Sequence, residues 1–366
     1  MASFCKRLAV SFIACVAALT ASTDQTAHAD VAPVLDEMSR PMGPQFLHWY
    51  RGHFSAFRQR YMRIDGRIVD PENGGVTHSE AQAYGMLIAF IADEPVTFEQ
   101  IWRFTKTNLR RPDDLFAWRY MPERGVTDWN NATDADLLIA STLALAAKRW
   151  NRGDYLSQAI RTAGTIGRKL LRYHEGQVLL MPAIEGFDRR SQPDGPVVNL
   201  SYYNFDALRV VGALAPRYPF ERAADTGVAL IALALEQGTL SDWNALEDVD
   251  RPTVARKVEP HEFGYNAIRI GYNLMAREGP SQQSAIALFH RMNSPYLIRR
   301  TADGVVTELR DPGYRIIADM VRCEVQGTVV DPALFDYRPT TYFASALHLM
   351  AFGQIYQRRP WCLPIS

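Results

Sequence analysis

Apolar residues recur along this chain at the three- and four-residue spacing of helices over most of its length. The pattern predicts helices over Glu80 to Asp93, Phe98 to Leu109, Asp134 to Trp150, Tyr155 to Tyr173 and Phe205 to Leu214. Further helices are predicted over Glu221 to Gln237, Asn266 to Arg277, Ser281 to Met292 and Thr341 to Tyr356, with weaker periodicity over Pro44 to Tyr61 and Gly313 to Val325. Strand-like alternation is confined to short runs such as Val178 to Met181, and Val305 to Glu308 after Asp303-Gly304. About a dozen helices with almost no sheet predict an all-α toroid or bundle.

The helices are of two kinds. Ala81 to Ile91 and Leu137 to Ala147 are apolar nearly all round, which predicts burial on every side, whereas Ala159 to Leu171 carries Arg161, Arg168 and Lys169 and is amphipathic. Alternation of inner and outer helices makes a double ring, and a site would lie where inner-helix N-termini and their preceding loops meet.

Two of those N-termini are acidic. In Thr77-His78-Ser79-Glu80-Ala81-Gln82, Ser79 and Gln82 have capping-box spacing and Glu80 suits the positive end of the helix dipole, so a structural role alone would account for them. In Asn131-Ala132-Thr133-Asp134-Ala135-Asp136, Thr133 or Asp134 can cap, but two carboxylates bracketing Ala135 exceed what a cap needs. The loop before it adds Asp128, Trp129, Asn130 and Asn131, hydrogen-bonding groups beside a stacking ring. Two carboxylate-bearing helix starts opening into one cleft are what glycoside hydrolysis requires. Trp118, Trp129, Tyr202, Tyr203 and Trp243 are candidate sugar platforms; such rings are more often core residues, and Trp129 and Trp243, each beside an Asp in a predicted loop, are the strongest candidates. His261-Glu262 lacks the second histidine of a zinc-protease helix, and no phosphate loop, dinucleotide fingerprint or nucleophile elbow is present, so nothing calls for a cofactor or a metal.

Ser79-Glu80-Ala81-Gln82-Ala83-Tyr84-Gly85-Met86 resembles the acid-bearing motif of glycoside hydrolase family 8. Ala132-Thr133-Asp134-Ala135-Asp136, with Ile139-Ala140 and Trp150, resembles that family's signature. Tyr265-Asn266-Ala267-Ile268-Arg269 is similar to its Tyr-Asp-Ala-x-Arg segment except at the second place, and similarity in order and spacing runs from about Phe46 to Tyr356. The resemblance implies an (α/α)6 barrel and inverting hydrolysis of β-1,4-linked glycans, most often cellulose-like. By motif position Glu80 is the proton donor and Asp134 the second catalytic carboxylate, which holds the sugar or places the water. Tyr84, Asp136, Tyr265, Asn266 and Arg269 are expected to bind substrate at the same site, together with Asp128, Trp129, Tyr203 and Trp243. Asn266 departs from the pattern: an amide cannot take a proton from water. The base's work then falls to another carboxylate, for which Asp134, Asp128, Asp206, Asp242 and Glu262 are candidates and Asp134 the one expected. The alternatives are a glycan-binding member that has lost turnover, or a β-1,4-xylanase or chitosanase.

Residues 1–29 read as an export leader: Lys6-Arg7, an apolar stretch from Leu8 to Ala21, and Ala27-His28-Ala29 before a cleavage after Ala29. A periplasmic or secreted protein, with residues 30–366 as a single catalytic domain and no membrane insertion after cleavage, is the expectation. The leader holds two of the 40 basic and one of the 40 acidic residues, so the remainder is nearly neutral. Neutrality argues against a nucleic-acid partner and suits an uncharged polysaccharide such as β-1,4-glucan; resemblance to endoglucanases that accompany cellulose synthesis makes that machinery a possible partner. Cys323 and Cys362, which remain after cleavage, could form one disulfide or stay two buried thiols.

Overall fold

The computed structural model describes residues 31–364, and the expected leader lies outside them. A short helix α1 covers residues 31–38. It is followed by α2 (Pro44–Tyr61), α3 (Ser79–Ile91), α4 (Pro95–Asn108), α5 (Thr133–Trp150), α6 (Gly153–Lys169), α7 (Phe205–Leu214), α8 (Phe220–Glu236), α9 (Ile270–Leu274), α10 (Pro280–Met292), α11 (Pro312–Gln326) and α12 (Tyr342–Arg358). Proline opens α2, α4, α10 and α11, where its missing N–H costs nothing and its fixed φ suits the first turn. Asn204 and Asp311 cap α7 and α11 through their side chains.

Six of these helices close a ring in the order α3, α5, α7, α9, α11, α12, the last packing back on α3. Helix α4 lies outside α3, α6 outside α5 and α7, α8 outside α7, α10 outside α9 and α11, and α2 outside α12. This is an (α/α)6 barrel. The apolar helices are the inner ones: every residue of α5 from Thr133 to Ala147 is buried, and so is all of α3 except Glu80 and Leu87. Amphipathic α6 lies outside, with Arg161, Arg168 and Lys169 away from the core. Close approach inside the ring needs small residues. A Cβ on Gly313 would stand 1.8 Å from the Ala344 carbonyl oxygen, so α11 can cross the start of α12 only with glycine there.

Two elements differ from the periodicity. The helix expected to reach Tyr173 ends at Lys169, because Glu175-Gly176, both in the left-handed region, fold β4 (Leu171–His174) back on β5 (Gln177–Leu180). The helix expected over Asn266 to Arg277 is a 3-10 turn (Ala267–Arg269) followed by the five-residue α9. The amide of Gln282 takes the Leu274 carbonyl and that of Asn273 takes the Ser201 carbonyl, which fixes the end of α9. Short hairpins decorate the ring. The one that matters for the site joins β1 (Thr77–His78), β2 (Ala117–Met121) and β3 (Gly125–Asn131) in a three-stranded sheet running into the starts of α3 and α5.

Cys323 on α11 and Cys362 in the tail form a disulfide across 39 residues. In an oxidised sample Cys362→Ser is expected to lower the unfolding free energy by about 2–4 kcal/mol through the loop entropy it returns to the unfolded chain. A urea melt with an unchanged midpoint would show instead that the tail docks without the bond.

Candidate active site

The site begins with the way α3 starts. The expected capping box does not form: the helix opens at Ser79 with His78 in the N-cap place, and no side chain caps it. The Gln82 side chain turns away into the wall, accepting from the Ile68 N–H at 2.6 Å and donating to Thr105 Oγ1 at 3.0 Å. A fully buried amide meets the orphaned backbone groups of the 66–68 loop there, a stronger claim on it than an exposed cap. Glu80, next to it, is left to project from the ring, its side chain 23% exposed.

Opposite Glu80 stands Arg269, at the end of the 3-10 turn and 4% exposed. Its Nη1 donates to Glu80 Oε2, to Asp134 Oδ2 at 2.8 Å and to Tyr84 Oη at 2.9 Å. Its Nη2 donates to Ser201 Oγ at 2.9 Å and to Asn266 Oδ1 at 2.7 Å. Helices α3, α5 and α9 and the segment before α7 thus meet on one guanidinium. Asn266 spans the remaining gap, since its Nδ2 donates to Asp242 Oδ2 at 3.3 Å. Asp242 is itself buried and accepts from the Gly264 and Ala267 N–H groups, so it holds the loop that carries Asn266. An aspartate at 266 would face the Asp242 carboxylate directly, and the amide avoids that repulsion.

Burial pushes the Asp134 carboxyl up to about 7; the Glu80 charge adds to the rise and the Arg269 guanidinium opposes it. The Asp134 carboxyl therefore keeps its proton up to about neutrality, next to Glu80. His78 stacks on Trp118 with ring centres 5.7 Å apart, and burial lowers its pKa, so the imidazole is neutral at pH 7.

These groups line a cleft of about 620 Å³. Trp118, Tyr202, Trp243, Tyr265, Tyr314 and Phe343 give it an aromatic wall, and its carboxylates are Asp70, Glu72, Glu80, Asp134 and Asp311. Of the expected site residues, the structure brings Glu80, Asp134, Trp243, Tyr265, Asn266 and Arg269 to this cleft, with Tyr84 just beneath its floor. It does not bring Tyr203 there. That side chain is fully buried, its hydroxyl accepts from the Leu180 N–H, and its ring fills the space left by Gly227. Asp136 is likewise a structural residue, fully buried and accepting from the Phe116 N–H and Asn131 Nδ2; burial raises it to about 8 against those two donors. It lies two helical positions on from Asp134, enough to rotate it about 200° from the cleft. Asp128 and Trp129 face a different concavity. Asp206 is paired with Arg358 and Glu262 with Arg299. Sequence reasoning missed Asp70, Glu72, Ser201, Asp311 and Tyr342; the polar run Asp70-Pro71-Glu72-Asn73 and the cap-proline pair Asp311-Pro312 read only as turn and helix-start signals.

Among the described residues no cluster of three or more His, Cys, Asp or Glu could hold a metal ion, and no helix is long and apolar enough to cross a membrane. The family model for glycosyl hydrolases family 8 matches residues 47–354. A probable endoglucanase from Novacetimonas hansenii is 36% identical over 226 residues, which is 59% of this chain and 64% of that one. An endoglucanase from Cellulomonas uda is 30% identical, over 61% of this chain and 62% of its own. The matches thus span somewhat under two thirds of the length of these curated relatives. Among solved structures, an endoglucanase from Komagataeibacter sucrofermentans superposes with a TM-score of 0.73 at 31% identity, covering 85% of this chain and 98% of that one.

Removal of the shared guanidinium tests this geometry. Arg269→Met leaves buried Asp134 and partly exposed Glu80 without their cation, and a loss of about 3–5 kcal/mol is expected at pH 8. Asp134, already raised by burial, then loses the cation that opposes the rise, so the folded state binds more protons and stability should recover as pH falls from 8 to 5. Urea melts at the two pH values check it; an equal loss at both would contradict a charge origin.

Proposed function

The chain belongs to glycosyl hydrolases family 8, and from that premise we propose that it is an inverting endo-β-1,4-glucanase cutting internal bonds of a cellulose-like glucan. The observation that carries this reading is the convergence of Glu80 and Asp134 on Arg269 in an aromatic-walled cleft. The relatives' descriptions as endoglucanases support it. Glu80 faces the cleft and gives its proton to the leaving glycosidic oxygen. Asp134, nine-tenths buried behind it, keeps a proton next to Glu80 up to about neutrality and holds the sugar at the cleavage point.

Asp134 is poorly placed to activate water as well. Its Oδ2 and the Glu80 Oε2 are both hydrogen-bonded to one nitrogen. They therefore stand closer than the ~6.5–9.5 Å that an inverting pair needs to admit a water. Asp70 has both oxygens engaged by Asn73. Glu72 and Asp311, each with one oxygen accepting a backbone N–H and the other unengaged, are the cleft carboxylates left to take the water's proton. Export to the periplasm or beyond, a single catalytic domain over residues 30–366, and action beside a cellulose-synthesising machinery complete the proposal. The leader-like sequence supports the first of these.

One observation favours a second reading. Five carboxylates face the cleft and Arg269 is the guanidinium among its lining residues, a balance that suits a cationic β-1,4-glucosamine polymer. Reducing-sugar release from hydroxyethylcellulose and from chitosan decides between them. The expected result is faster release from the glucan, abolished at least about a thousandfold in Glu80→Gln and in one of Glu72→Gln or Asp311→Asn. Preference for chitosan would establish the second reading. Equal release by the parent and Glu80→Gln would remove Glu80 as the acid.

A further inference from the structure

The β2–β3 hairpin carries two tryptophans that serve different surfaces. Trp118 on β2 stacks on His78 and lines the cleft. Trp129 lies across the ladder from it, between the pairs Ala117 with Asn131 and Arg119 with Asp128, where the register is bulged. Trp129 is 56% exposed and looks into an open concavity of about 830 Å³ outside the cleft, with Arg111, Asp128, Asn130 and Glu185 around it.

The ring is exposed, but its backbone is fixed. Arg111 is clamped by two hydrogen bonds from its Nε and Nη2 to Asp113, at 3.1 and 3.2 Å, and its Nη1 donates to the Trp129 carbonyl. Asp113 is held in turn by Lys169 at 2.9 Å. On the other side the Asn130 N–H donates to Asp128 Oδ1 at 2.9 Å, and its side-chain amide donates to the Glu185 carbonyl at 3.1 Å. The result is an indole face presented on a rigid strand, rimmed by carboxylate oxygens that can accept hydroxyl protons. A pyranose offers the complement: an apolar C–H face to lie on the ring and hydroxyl groups at its edge to meet the rim.

We propose that this concavity is a second glycan-binding site, which takes a stretch of the same β-1,4-linked chain that the cleft takes. The identity of that chain rests on the function proposed above; the site itself rests on Trp129. Trp118 at the cleft and Trp129 at the concavity sit on paired strands of one hairpin, ~4.8 Å apart at the backbone. The two sites share no lining residue, so a short oligosaccharide held in the cleft is expected not to engage Trp129. The site thus serves long chains, and acts by retaining polymer rather than by touching the reacting bond.

The test uses the full chain carrying Glu80→Gln, run in native gels containing hydroxyethylcellulose or chitosan, with and without Trp129→Ala or Trp129→Phe. Trp129→Ala is expected to weaken retention by about five- to tenfold in at least one polymer, with Trp129→Phe keeping most of it. In the active chain, Trp129→Ala should lower kcat/KM for the polymer at least about threefold more than for a five-sugar oligomer. Equal retention of parent and Trp129→Ala in both gels overturns the proposal, as does an equal fractional loss on polymer and oligomer. Matching thermal melts of the variants exclude misfolding. If the active chain cleaves no polymer at all, the enzymatic reading fails while Trp129-dependent retention still establishes the site.

Discussion

Everything at the centre of this barrel depends on one buried guanidinium. Arg269 is almost without solvent contact, and moving such a charge from water is costly unless its donors are all met. They are met by two carboxylates, two hydroxyls and an amide from four different parts of the chain. The same contacts explain why the helix expected from Asn266 onward is broken at its start. The 3-10 turn brings Asn266 and Arg269 to the same cluster, and Asp242 holds that turn by its backbone. Tyr84 and Tyr202 add aromatic cover, the latter with the guanidinium 5.4 Å from its ring centre.

The barrel supplies the setting by bringing inner-helix starts to one end. A carboxylate in the first turn of a helix meets the positive end of the dipole, which favours its charged form. Proton donation needs the opposite, and here burial supplies it. Asp134 sits deep enough for desolvation to outweigh both the dipole and Arg269, while Glu80 keeps contact with the cleft. In the function proposed above, one helix start stores the proton and the other presents it. The proposed acid function depends on the difference in exposure between two residues that look alike in sequence.

That difference also marks the limit of what could be read from the chain. The inner and outer helices were legible because all-round apolarity and amphipathicity are properties of each segment alone, as α5 and α6 demonstrate. Glu80, Asp134 and Arg269 were legible because each sits in a motif. Tyr203 and Asp136 looked like site residues because type and proximity are visible in sequence, whereas direction is not; one fills the space left by Gly227 and the other ties Phe116, just before β2, and Asn131 to α5. Gln82 fits a capping box by spacing, yet the 66–68 loop and the α4 residues Ile101 and Thr105, nineteen and twenty-three positions further on, claim it. Asp70, Glu72 and Asp311 reach the cleft only because the ring closes between α12 and α3, a contact between the two ends of the barrel that no local pattern encodes.

The central claim is that Arg269 holds Asp134, protonated up to about neutrality, beside Glu80. Carbon-13 NMR of labelled side-chain carboxyls, followed from pH 4 to 9 in the parent and in Asp134→Asn, tests it directly. The account predicts a carboxyl resonance in the parent titrating with a midpoint near pH 7 that is lost when Asp134 is replaced, while the Asp136 carboxyl titrates near 8 in both proteins. An Asp134 carboxyl titrating below about pH 5, the ordinary carboxylate range, would contradict it.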